Sequence, residues 1–280
     1  MAEGDRVPWP PTADNLAIAP QQPPVIPVHD VPGSETRLFP PWTIWDVAII
    51  PGATIFLMLL CSVVAIAVAH GLPAYHGMTW GTLAQQPLII ISSQMASYPL
   101  VIALMARIVR RRSGETFLTA IQWNWPQRSS LWFLGGIVLA FTVEGLAHFL
   151  PVPKSLPMDK FFNDMSSAYL MAFFGIAVAP LLEELFFRGM LYPILRRGFG
   201  VVVGLALTAA AFAAIHGAQL AYAWAPILSI FVVGVVLTVI RERTGSVAAS
   251  VMTHSGYNFA LFALLWIGSE HFRHLEKLNS

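Results

Sequence analysis

Seven apolar runs govern what this chain can fold into, at residues 44–70, 87–109, 131–151, 167–193, 199–217, 224–241 and 245–268. Each approaches the roughly 20 residues that carry an α-helix across the hydrocarbon of a bilayer. The runs are continuous rather than alternating in polarity, which argues against barrel strands. A helix also satisfies its own backbone hydrogen bonds where no water is at hand. Of 280 residues, 56% are hydrophobic and only 11% charged, a balance outside the range of soluble domains. The expected fold is all-α: a polytopic transmembrane helical bundle of about seven spans.

Residues 1–43 differ. Prolines recur from Pro10 to Pro41 without a periodic apolar pattern, so a disordered, Pro-rich cytoplasmic tail is expected there, with one membrane domain over 44–280. The tail lacks the basic start and short apolar core of a cleaved signal. A lone Cys61 rules out an internal disulfide and any multi-cysteine zinc site.

Charge placement suggests an orientation. Arg107, Arg110, Arg111, Arg112 and Arg128 bracket the connection between spans two and three, Arg196 and Arg197 follow span four, and Arg241 and Arg243 follow span six. The connections between spans one and two and between five and six hold no Lys or Arg. By the positive-inside rule the arginine-bearing ends, and the N-terminus with them, are cytoplasmic. Basic residues spread in this way serve topology and form no groove for nucleic acid.

A charge at the bilayer centre costs about 2.5–3.5 kcal/mol on insertion scales, so such residues tend to face the bundle interior and carry function. Here they gather. "APLLEELFFRGML" holds Glu183, Glu184 and Arg188; "FAAIHG" holds His216; "THSGYNF" holds His254 and Asn258. At about 1.5 Å per residue from the nearest arginine, Glu183 stands about 20 Å up, His216 about 24–28 Å, His254 about 16 Å and Asn258 about 22 Å. Three helices thus bring polar groups to overlapping depths.

Their facing also agrees. His254 and Asn258 are spaced i,i+4, as are Phe212 and His216, so each pair shares a face. Glu184 and Arg188 have the same spacing and can pair, whereas Glu183 is turned about 100° away. Arg188 then neutralises Glu184, and Glu183 is left to enter a wet cavity with both histidines. The competing reading is a buried ionic knot that only fixes helix packing. Glu144 and His148 share a face of the third span, and packing and hydrogen bonding come ahead of direct catalysis for them. "GVVVG", residues 200–204, permits close helix approach.

"EELFFRG", "FAAIH" and "HSGYN" together resemble the three signatures of the CPBP family of intramembrane endopeptidases (CAAX proteases and bacteriocin-processing enzymes, also called Abi proteins): Glu-Glu-x-x-x-Arg, Phe-x-x-x-His and His-x-x-x-Asn. They occur in order over residues 183–258, and the first 130 residues carry no signature. The resemblance implies that Glu183 and His216 activate a water and that His254 and Asn258 stabilise the oxyanion, with Glu184, Arg188 and Phe212 supporting the site. No cofactor is expected. Asn258 is a poor zinc ligand but a good oxyanion donor, so a metal-free site is favoured. If zinc takes part, Glu183, His216 and His254 would have to hold it from three helices.

The resemblance implies an endopeptidase acting on a membrane-bound protein or peptide, by CAAX-type or leader-peptide processing, in the bacterial inner membrane. From the depths counted above, cleavage is expected in the middle or cytoplasmic half of the bilayer. The alternatives are a proton-coupled transporter, in which the same residues form a relay, and a catalytically idle immunity or scaffold relative.

Overall fold

The computed structural model describes residues 40–151, 153, 156–162 and 164–273, so most of the expected tail lies outside the described residues. The chain forms α1 (Ile44–His70), a single turn α2 (Trp80–Leu83), α3 (Pro87–Ser113), a second single turn α4 (Phe117–Ala120) and α5 (Ser129–Ala147). A continuous helical path then runs through α6 (Met165–Phe173), α7 (Ala179–Glu184) and α8 (Tyr192–Ile215), followed by α9 (Trp224–Thr244) and α10 (Val247–Gly268). The described residues contain no strand.

Helix limits follow local chemistry. Thr43 starts α1 through a reciprocal capping box with Asp46. Pro87 opens α3, where its missing N–H costs nothing, and Gly114 closes it in the left-handed conformation at φ 71°. Trp42 belongs to the folded body: it is buried, and its indole donates to the Met190 carbonyl at 3.1 Å.

Five helices are long and apolar enough to cross a membrane: Ile44–His70, Pro87–Ser113, Ser129–Ala147, the path Met165–Ile215 and Trp224–Thr244. The fourth is 51 residues long and contains both the fourth and fifth apolar runs. It folds back at Gly200, whose φ of 78° and ψ of 176° break the helix. Pairs across the fold are centred between Phe199 and Gly200. Glu183 faces His216, the Phe187 and Phe212 rings meet at 5.2 Å, and Gly204 lies against the backbone of Leu195 and Arg196. Helix α10 covers the seventh apolar run but, with His254 and Asn258 in it, falls outside the five.

The bundle closes on small residues. A Cβ at Gly256 would overlap the Phe133 carbonyl, and one at Gly136 the Thr253 carbonyl, so α5 and α10 cross at backbone distance. Helix α1 lies at the periphery: only 6% of its apolar window is buried, and it exposes Ile55, Phe56, Leu59 and Val63.

At the arginine-bearing helix ends the interior is solid. Trp42, Val47, Met105, Ile121, Met190 and Val247 form one buried cluster there. Arg241, expected to be a topology signal, is instead 7% exposed. Its Nε donates to the Arg188 carbonyl at 3.2 Å and its Nη2 to Gln122 Oε1 at 2.7 Å. At the opposite ends the helices splay around a cavity.

Candidate active site

Two π-helical stretches, Phe174–Val178 and Leu185–Leu191, flank the short helix that carries Glu183 and Glu184. Such wide turns shift the facing of side chains and recur at functional sites. The two carboxylates consequently point different ways.

Glu184 is fully buried and pairs through Oε1 with Arg188 Nη1 at 2.8 Å. Arg188, also fully buried, donates from Nη2 to the Gly234 carbonyl at 2.8 Å and from Nε to Thr238 Oγ1 at 3.3 Å. Its guanidinium lies 4.6 Å from the Phe212 ring centroid. Such a pair is expensive to break, because either partner alone would be a buried, uncompensated charge. Glu184 Oε1 also accepts from His254 Nδ1 at 2.9 Å, which fixes that imidazole. The other oxygen, Oε2, has no hydrogen-bond partner among the described residues.

Glu183 turns the other way. Its Oε1 lies 4.0 Å from His216 Nε2 and its Oε2 lies 3.8 Å from His254 Nε2. The Phe212 carbonyl can only accept, so His216 Nδ1, 2.9 Å from it, carries the hydrogen and leaves Nε2 toward the carboxylate. The Phe212 ring packs against both imidazoles at 5.0 and 5.6 Å. Asn258 donates from Nδ2 to the Gly175 carbonyl at 2.7 Å, within the first π stretch, so its amide is held in one orientation.

Glu183, His216, His254 and Asn258 all line one cavity of about 840 Å³. The structure therefore brings the four together, with Glu184, Arg188 and Phe212 braced behind them. Glu144 also lines the cavity, whereas His148 is not among its walls and makes an edge contact with Phe149. Sequence reasoning missed Gln94 and Tyr98, which reach the cavity from α3. Their i,i+4 spacing in an otherwise apolar span was the available signal. Thr238 and Gly234, which hold Arg188, left no charged signature to find.

The cavity lies on the side of Glu183 away from Arg196, Arg197 and Arg243. Its walls run from Glu183 out to Leu156, Asp159, Gln219 and Arg273, in the connections at the far helix ends. Below Glu183 it is stopped by the Glu184–Arg188 layer and the cluster around Met190 and Ile121. Counting from the arginines gave heights for these residues but could not show which side of Glu183 is plugged.

Among the described residues no group of three or more His, Cys, Asp or Glu side chains that could hold a metal ion is found.

Residues 165–260 match the model of a family described as type II CAAX prenyl endopeptidase Rce1-like. That segment is similar to Rce1-like endopeptidases. It begins at the start of α6 and takes in the folded-back helices, α9 and α10 as far as Ala260, in accord with the resemblance carried by the three motifs. The match supports an intramembrane endopeptidase in general, and a membrane-associated protein as its substrate. Together with the apolar helices it marks an integral membrane protein. No curated protein and no solved structure matched the chain. Gln94, Tyr98 and Glu144, which lie outside the matched segment, nonetheless line the cavity.

Proposed function

We propose that the protein hydrolyses a peptide bond of a membrane-associated protein, in a bacterial plasma membrane, with Glu183 and His216 acting on water and His254 and Asn258 on the oxyanion. The observation that carries this reading is Glu183 set between two imidazole Nε2 atoms at 3.8 and 4.0 Å inside the cavity. These gaps are too long for direct hydrogen bonds and suit a water held above both groups.

In the proposed reaction the water oxygen bonds to the carbonyl carbon and one water proton passes to the Glu183–His216 pair. The carbonyl electron pair collects on oxygen, where His254 and the second N–H of Asn258 donate to it. On collapse the C–N bond breaks, the stored proton goes to the leaving amine, and the second water proton leaves with the new carboxyl group. The two imidazoles are backed differently: His216 by a neutral carbonyl, His254 by the Glu184 carboxylate. A carboxylate behind the ring steadies an imidazolium, as in hydrolase triads. This supports His216 as the proton acceptor and His254 as the donor.

The test compares protein termini in cells carrying the wild type or Glu183→Ala. The reading expects a product end that disappears in the variant while the protein still inserts. Identical termini would favour the catalytically idle reading. Activity of purified protein should survive chelation; a loss restored by zinc would contradict the metal-free mechanism.

A further inference from the structure

We infer that the cavity opens to the extracytoplasmic side, so that its substrate is an apolar segment of a membrane-anchored or exported protein emerging at the outer face. The word substrate rests on the endopeptidase reading; the sidedness does not. Two independent observations meet here.

The first is charge. Arg107, Arg110, Arg111, Arg112, Arg128, Arg196, Arg197 and Arg243 all stand at the helix ends where α1, α5, α8 and α10 begin and α3 and α9 end. The far connections hold few basic residues, Lys154 and Lys160 before α6 and none at 71–86 or 216–223, and Arg273 and Lys277 follow α10. Such asymmetry in short connections sets the arginine end toward the cytoplasm. The arginine end is tied into the fold at two places. The Asp46–Arg112 pair at 2.9 Å joins the first turn of α1 to the last of α3, and Arg196–Glu242 at 2.9 Å joins α8 to α9.

The second is the plug. Between Glu183 and the arginine end stand Glu184, Arg188, Met105, Ile121, Met190 and Leu237, each with no exposed surface. A peptide arriving from that side would have to displace a buried ion pair and the core around it. From the far side the path is lined by Leu156, Phe162, Phe262, Leu265 and Phe272, with Gln219 at the connection between α8 and α9. These walls suit an extended apolar peptide, and the amides of Gln94 and Gln219 can pair with its backbone.

Sidedness can be read with a charged, membrane-impermeant maleimide on full-length protein in intact cells, in a Cys61→Ala background. Ala218→Cys reports the exposed far connection and Glu115→Cys the exposed arginine end. A charged reagent does not cross the bilayer, so Ala218→Cys should label about tenfold more than Glu115→Cys until the cells are opened, when the two become equal. Ser229→Cys, inside the cavity, should follow Ala218→Cys. Labelling of Glu115→Cys alone in intact cells would overturn the inference, as would Ser229→Cys reached only from the arginine side. Adding Glu183→Ala should leave this pattern unchanged, because labelling needs no turnover. Identical protein termini in wild type and Glu183→Ala then count against the endopeptidase reading, and reversed labelling against the sidedness.

Discussion

Divided at the level of Glu183, the two halves of the membrane domain handle buried polar groups in opposite ways. Toward the arginine end, Arg188 and Arg241 are surrounded by acceptors: a carboxylate, carbonyls, a hydroxyl and an amide oxygen. Toward the far end, Glu183, His216 and Asn258 each spend one contact on the scaffold or on each other and present the remainder to a cavity. The adjacent glutamates straddle this boundary. Buried polarity alone therefore does not single out Glu183, His216 and Asn258; what does is polarity that the fold positions and leaves facing a cavity.

The comparison can be broken most forcefully in the solid half. Arg188→Met should cost about 3–5 kcal/mol of stability, because it strands the Glu184 carboxylate in the core. The Glu184→Gln/Arg188→Met double variant should recover much of this in denaturant titrations of the purified chain. No recovery would mean that the pair is not the unit described. In the open half, Asn258→Ala should lower kcat about 10²–10³-fold if its second N–H meets the oxyanion, with little change in KM. A change confined to KM would place it in substrate binding instead. Gly256→Ala, at the α5–α10 crossing behind the cavity, should cost about 1–3 kcal/mol by forcing the helices apart. Smallest is Arg112→Gln: its partner Asp46 shares a pair in which Arg112 is 50% exposed, so thermal unfolding should register no more than about 1 kcal/mol.

The division between Glu183 and Glu184 was legible in the sequence, because an i,i+4 arginine can serve only one of two neighbouring carboxylates. The fold-back was partly so: "GVVVG" announced a close helix approach, and Gly204 makes one against Arg196. Hidden were features that depend on turns departing from the 3.6 period. The π stretches beside Glu183 change facing without any residue type to announce them. The role of Arg241 was masked by its position, since an arginine at a helix end reads as topology until its carbonyl partners are seen. Tyr98 and Gln94 lie in a span without a motif, and only packing brings them to the cavity.

The central claim is that neighbouring glutamates hold separate jobs, and turnover measured beside melting temperature for Glu183→Gln and Glu184→Gln tests it most directly. The account predicts that Glu183→Gln melts as the wild type does while turnover falls by about 10³-fold or more, and that Glu184→Gln melts lower. Near wild-type turnover in Glu183→Gln, or equal loss of stability in both variants, would contradict it.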